Sequence, residues 1–345
     1  MKIKDLVDYL KNYDGPEITI MEVCGSHTAA IAKNGIRFLL SKKINLVSGP
    51  GCPVCVTPSA YIDKLIELAL EPDTCVLTFG DLIRVPGSKE SLGQAKTRGA
   101  EVEMVYSPMD ALKMAEEKPE KNFVFAAVGF ETTAPVYTLL LDQIIKKDVK
   151  NLKLLTALKT MPAVIDALLS QGAKIDGFVA PGHVSTVTGY GIFEPLAEKF
   201  KLPFAVAGFE GEELIIALYG LVKSIEAKEA SVKNYYTSVV VRESNPIIEE
   251  KKNKYFVPCD ANWRGVGQVP GSGLMLRDEF SYLDAGSAGL DEDIKKNKAC
   301  RCGEILRGQA TPNDCPLFGK VCTPQTPQGA CMVSYEGCCF SAYNS

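Results

Sequence analysis

Over the first 235 residues, apolar positions fall into short β-branched or continuous runs separated by longer amphipathic stretches. The short runs predict strands at Glu17–Val23, Asn45–Ser48, Thr74–Thr78, Val102–Tyr106, Phe123–Val128, Leu152–Leu155, Gly177–Val179 and Phe204–Ala207. The longer stretches have helical spacing, as at Ala60–Leu70, Met109–Glu117, Pro135–Lys146 and Ala163–Gln171. Strand and helix in alternation predict βαβ units and a mostly parallel sheet.

A repeat runs through this pattern. Asn45-Leu-Val-Ser-Gly-Pro-Gly-Cys52 resembles Gly177-Phe-Val-Ala-Pro-Gly-His183. In each, an apolar strand ends in Pro-Gly, a reactive side chain and a helix. The next strand ends at Phe79-Gly-Asp81 in one copy and Gly208-Phe-Glu210 in the other. The reading is two similar parallel-sheet α/β domains around a cleft, 1–135 with Cys24 and Cys52/Cys55 and 136–235 with His183, against a single larger doubly wound sheet. Open α/β sheets bind ligands beyond the carboxyl ends of their strands, and Cys24, Cys52, Asp81, Glu131, His183 and Glu210 all fall at such ends.

Beyond residue 235 regular periodicity fades, and a third, loop-rich domain is expected over 236–345. The net charge of −4 gives no basic face for nucleic acid. The most apolar window, Pro203–Val222, holds Glu210, Glu212 and Glu213 and is no membrane span. The start, MKIKDLVDYLKNYDG, lacks the apolar core of a signal peptide, so a cytoplasmic protein is expected. Twelve cysteines in a reducing compartment point to metal or redox chemistry rather than disulfide scaffolding. Only two histidines, His27 and His183, argue against a zinc hydrolase.

Seven cysteines lie in one stretch: Cys300, Cys302, Cys315, Cys322, Cys331, Cys338 and Cys339. Such a glycine- and proline-rich segment orders itself poorly without a metal. An iron–sulfur cluster and a four-thiolate zinc both fit this spacing. Cys52-Pro-Val-Cys55 has the spacing of a redox dithiol, or of two metal ligands. Cys24, at a strand end before a helix, is a candidate nucleophile or metal ligand whose pKa the helix dipole is expected to lower, with His27 to donate a hydrogen bond or proton. Glu131 in Gly129-Phe-Glu-Thr-Thr-Ala-Pro135 is a candidate proton carrier, and His183 sits at a strand end. Cys75 and Cys259 read as structural.

These motifs carry a family resemblance. Met21-Glu-Val-Cys-Gly-Ser-His27, Val47-Ser-Gly-Pro-Gly-Cys-Pro-Val-Cys55, Gly129–Pro135, Pro181-Gly-His-Val-Ser185, Trp263-Arg-Gly265 and Cys302-Gly-Glu-Ile-Leu-Arg-Gly308 occur in order. Asp314-Cys315, Phe318-Gly319, Cys322-Thr-Pro324, Cys331-Met-Val-Ser334 and Glu336-Gly-Cys338 follow. The chain resembles the hydrogenase maturation factors of the HypD family over nearly its whole length.

The resemblance implies two similar α/β domains and a third with a [4Fe–4S] cluster. It implies assembly of the Fe(CN)₂CO unit of [NiFe] hydrogenases with a HypC-like small chaperone and a HypE-like cyanide donor. By motif, Cys24 would hold the assembled iron, and Cys52 and Cys55 would be a redox dithiol that also touches iron. Cys315, Cys322, Cys331 and Cys338 would ligate the cluster in preference to Cys300, Cys302 and Cys339. Ala29 stands where the family pattern often has a second histidine, so His27 would act alone or with His183. The expectation is an assembly scaffold rather than a turnover enzyme. Two alternatives are an iron–sulfur-dependent disulfide reductase acting on a separate partner and a zinc-stabilised binding module.

Overall fold

The computed structural model describes residues 2–294 and 297–345. Its strands are β1 (Ile18–Glu22), β2 (Ile44–Ser48), β3 (Thr74–Thr78), β4 (Val102–Met104), β5 (Asn122–Gly129), β6 (Leu152–Lys159), β7 (Gly177–Ala180), β8 (Phe204–Val206), β9 (Val232–Asn234), β10 (Phe256–Trp263) and β11 (Gly267–Leu276). They form two sheets. The first has the order β2-β1-β7-β8-β9 and is parallel throughout; the second has the order β10-β11-β6-β5-β3-β4. The fold is α/β with parallel-dominated sheets, as the alternation of runs implied. β3 and β7 are buried along their whole length, which is why they read as unbroken apolar runs rather than alternating ones. Helix Gly211–Glu226 packs on β7 and β8 and buries Leu214, Leu218 and Leu221, each worth roughly 1.5–3 kcal/mol. No described helix is long and apolar enough to cross a membrane.

The sheets divide the chain differently from the ranges 1–135 and 136–235. The first is built from β1, β2 and β7–β9, the second from β3–β6 with β10 and β11. The two copies of the Pro-Gly repeat therefore lie in one sheet, on either side of β1. The reason is burial. β1 is apolar and must be covered at both edges, so it takes β2 from nearby sequence and β7 from far along the chain. The repeat thus brackets one strand end instead of marking one domain each.

The β10–β11 hairpin escapes the hydrophobic pattern. Its strands carry Pro258 and Pro270, are half exposed, and shift register at a bulge between Cys259 and Ala261. It adds antiparallel to β6 through Gly273 and Leu274. The C-terminal segment has only short described helices, and it packs on elements of both sheets. Helix Cys338–Tyr343 packs on helix Gly25–Lys33, while Ala330 and Val333 join the core over β3 and β5. Arg84 fixes this segment by donating to the carbonyls of Pro324 (3.3 Å) and Val333 (3.1 Å).

Candidate metal and thiol centre

β1 ends at Glu22, and two residues later Cys24 caps helix Gly25–Lys33 with extended backbone (φ −144°, ψ 119°). The thiol is buried. Backbone N–H groups of His27 and Ser26 reach it, as a helix start allows, yet burial outweighs them and pushes the thiol up to about 12, with Glu336 and Glu22 adding to the rise. The expected lowering by the helix end is thus overturned: the desolvation cost of a thiolate here exceeds what two amides return.

Glu22 underlies the thiol. Its carboxylate is fully buried and accepts from Cys24 N (3.1 Å), Thr28 Oγ1 (2.6 Å) and the Ser48 hydroxyl. Desolvation holds it up at about 7 despite these donors and the Arg37 guanidinium.

The loop after β2 lies against this point. Gly25 N donates to Gly51 O (2.8 Å), and Gly49 N donates to Glu22 O (2.7 Å). A side chain at Gly51 would sit 2.3 Å from Cys24 N, so only glycine allows the approach. Directly after it, Cys52 and Cys55 form a disulfide (Cα–Cα 5.2 Å). Both are buried, at 3% and 0% exposure.

The other strand end supplies the rim. Pro181 precedes helix Gly182–Thr188, and His183 stands exposed at its start. Its ring stacks on Phe209 at 3.9 Å, and Phe209 also meets the His27 ring at 4.7 Å. Ser26 Oγ donates to Glu336 Oε1 (2.8 Å) and lies 3.3 Å from His183 Nδ1. Burial holds the Glu336 carboxyl above its ordinary range, and Asp81 adds to this. Glu336 also presses on Gly25, where a Cβ would come within 2.5 Å of its own.

Behind this rim all seven C-terminal cysteines are buried. The sulfurs of Cys331, Cys338 and Cys339 lie within 4.8 Å of one another, with Cys331 to Cys339 at 3.1 Å. Cys331 also bonds to Cys302, and thiols donated by Cys331 and Cys339 hold Cys338 well below the ordinary thiol range. Cys315 and Cys322 lie in the field of Cys300, whose thiol burial pushes up to about 12. The donors are sulfur alone. Glycine backbone closes round them, for a Cβ at Gly329 would come within 2.8 Å of the Cys300 sulfur. Buried convergent thiols with no hard oxygen donor fit a thiolate-held metal centre.

Comparison with known proteins shows the family. A HypD family profile, described as "Hydrogenase formation hypA family", matches residues 1–345. The chain belongs to the HypD family. It is 42% identical over 330 residues to the hydrogenase maturation factor HypD of Escherichia coli, covering 94% of this chain and 88% of that one. The HypD2 factor of Bradyrhizobium diazoefficiens is 43% identical over 331 residues, covering 92% and 87%. The HypD of Cupriavidus necator is 40% identical over 342 residues, covering 96% and 90%. As a hydrogenase maturation factor, the chain has a C-terminal cysteine cluster suited to metal and a separate thiol just beyond the end of β1.

Against the HypD motifs, Cys24, Cys52, Cys55 and His183 come together at the end of the first sheet. His27 does not present a proton to Cys24. It is fully buried, its Nε2 donates to Ala207 O and Gly208 O (3.1 Å each), and burial pulls it down to about 4, so it stays neutral. Its Nδ1 has no hydrogen-bond partner among the described residues. Glu131 lies at the end of β5 in the other sheet, where Oε1 accepts from Met161 N (2.7 Å) at the start of helix Met161–Ser170. Burial pushes it up to about 7, and Oε2 is unpaired among the described residues. Asp81 lies in the field of Glu336, and Glu210 caps helix Gly211–Glu226. Cys75 lies buried within β3, and Cys259 is half-buried on β10. Sequence reasoning passed over Glu22, Ser26 and Glu336. Glu22 had a signal, a carboxylate inside an apolar strand, whereas Glu336 reaches Ser26 only through tertiary folding.

Proposed function

We propose that this HypD-family protein is a scaffold and redox factor on which the Fe(CN)₂CO unit of [NiFe] hydrogenases is assembled in the cytoplasm. A HypC-like small chaperone and a HypE-like cyanide donor would be its partners. The observation that carries the reading is a single thiol, Cys24, at the end of the central strand, flanked by the disulfide segment and by His183.

In this reading the iron is cargo and Cys24 holds it. Its thiol proton must leave when a metal binds, and the Ser26–Glu336–His183 group gives that proton acceptors beside it. His27 acts as a positioning residue, joining the Cys24 helix to the backbone at residues 207–208. Opening the Cys52–Cys55 disulfide takes up two electrons and two protons and gives two thiols. Those thiols would add soft ligands beside Cys24 and could touch the iron. Cys315, Cys322, Cys331 and Cys338 would hold a [4Fe–4S] cluster, which supplies single electrons when bound. Glu131, with one free oxygen, would exchange a proton at the far end of β5.

Burial of the disulfide favours this reading over a reductase for separate protein disulfides, since an outside disulfide needs access to a sulfur. In the test, Cys24→Ala is expected to abolish cyanide and carbon monoxide infrared bands from the complex with the small chaperone. Bands of undiminished intensity would overturn the role of Cys24. Iron and acid-labile sulfide in anaerobically purified protein separate the cluster from zinc.

A further inference from the structure

A second site lies away from the thiols. A cavity of about 300 Å³ is bounded by β6, the β10–β11 hairpin and the loop through residues 284–291, and no residue of the Cys24 group lines it. Lys159, the last residue of β6, lines this cavity and is 3% exposed. Its ammonium makes no hydrogen bond or ion pair among the described residues. It lies 5.6 Å from the centre of the Trp263 ring, with Cys259 and Asp291 contributing only at longer range. Asn262 lines the same cavity. Its Nδ2 donates to the Asp291 carbonyl, which fixes the amide orientation and leaves the buried Oδ1 with no donor among the described residues.

One cavity thus holds a buried cation without an acceptor and a buried acceptor without a donor. Each is costly to leave unmet, the ammonium more so than the amide oxygen. The acidic wall gives Lys159 no ion pair among the described residues, Asp291 acting on it only at longer range. Asp260 accepts from Gly271 N (2.9 Å), and Asp284 accepts from Gly286 N (3.1 Å) and Ser287 N. Leu158, Leu274 and Leu276 supply apolar surface. The volume matches roughly ten water-sized groups at about 30 Å³ each. It falls at the small end of ligand pockets.

We propose that this cavity binds a small carboxylate bearing a hydroxyl or amino group, with the carboxylate on Lys159 and the O–H or N–H donating to Asn262 Oδ1. A single carboxylate suits the site, because the aspartates around the one lysine would repel a dianion. Burial pulls the lysine down to about 8, in keeping with an ammonium whose anion comes from outside the chain.

The test uses the full-length protein with lactate, alanine, propionate and lactamide, by calorimetry and thermal shift. Lactate or alanine should bind, and whichever does so names the donor. Propionate, which lacks the donor, and lactamide, which lacks the charge, should bind about tenfold more weakly. Lys159→Met should lose lactate and alanine binding while matching or exceeding wild-type urea stability, since it removes an unpaired buried charge. A purely structural lysine would give the opposite stability change. Mass-spectrometric acetylation of Lys159 in the native protein, slowed by the bound acid, gives a readout that needs no variant. If neither acid binds the wild type, or if Lys159→Met binds them equally, the proposal is overturned.

Discussion

Gly51→Ala probes the contact that brings the disulfide loop against Cys24. The added carbon would lie 2.3 Å from Cys24 N, 2.5 Å from Val23 C and 2.6 Å from Cys24 Cα. Ordinary contact begins near 3.4 Å, so about 1 Å of movement is required, and every opposing atom is backbone. The cost is steric, since Gly51 is not among the positive-φ glycines. Two bonds hold the surfaces together, Gly25 N to Gly51 O at 2.8 Å and Gly49 N to Glu22 O at 2.7 Å. A 1 Å separation takes both beyond useful length. Overpacking of this kind costs about 1–3 kcal/mol, and each bond contributes about 0.5–1.5 kcal/mol. A loss of about 2–6 kcal/mol is therefore expected in urea unfolding, as a lower midpoint at unchanged slope. The same variant should alkylate faster at Cys24, because the loop that covers it has moved. A loss under about 0.5 kcal/mol, with Cys24 alkylation unchanged, would refute the close approach.

Other outcomes follow from the buried groups. Glu131 titrates near 7 when folded and near 4.5 when unfolded, so the folded state retains a proton that the unfolded state releases. Its contribution is full below about 4.5 and is lost as pH rises through 7, by about 3 kcal/mol at most. Glu131→Gln should flatten that decline in urea midpoints between pH 5 and pH 8; parallel declines would count against it. Native Cys24 should react with iodoacetamide at pH 8 at least about a hundredfold more slowly than in urea, and Glu336→Gln should speed it, because both burial and that carboxylate disfavour the thiolate. Equal native and unfolded rates would contradict the burial. Cys331→Ser should lose bound iron after anaerobic reconstitution, since Cys331 meets Cys302, Cys338 and Cys339, whereas Cys75→Ser, in the core of β3, should retain it.

Much of the fold was legible because parallel strands buried on both faces leave unbroken apolar runs, as in β3 and β5. The hairpin was not, because Pro258, Pro270 and the bulge at Cys259 interrupt any period. The strand ends carrying Cys24, Cys52 and His183 were found from local sequence. Their grouping about β1 was misread as one copy per domain, since which strand lies between which others is decided by burial across long separations. The protonation of Cys24 went wrong for a related reason. A helix start is a local feature, but the desolvation that overrides it comes from distant segments, including Glu336. His27 likewise sits in a motif that suggests proton transfer, yet the carbonyls of residues 207 and 208 hold it in a structural bond.

The pairing of β1 with both β2 and β7 also sets an order of completion during synthesis. β2 leaves the ribosome soon after β1, but the other edge stays open until residues 177–180 have been made. At about 5–20 residues per second that interval is on the order of ten seconds. An open apolar edge for so long invites pairing with another nascent chain. Glu336 and the helix at 338–343, which cover Cys24, come later still. If Cys24 holds the iron as proposed, a metal captured before then would meet an uncovered thiol without Glu336 beside it.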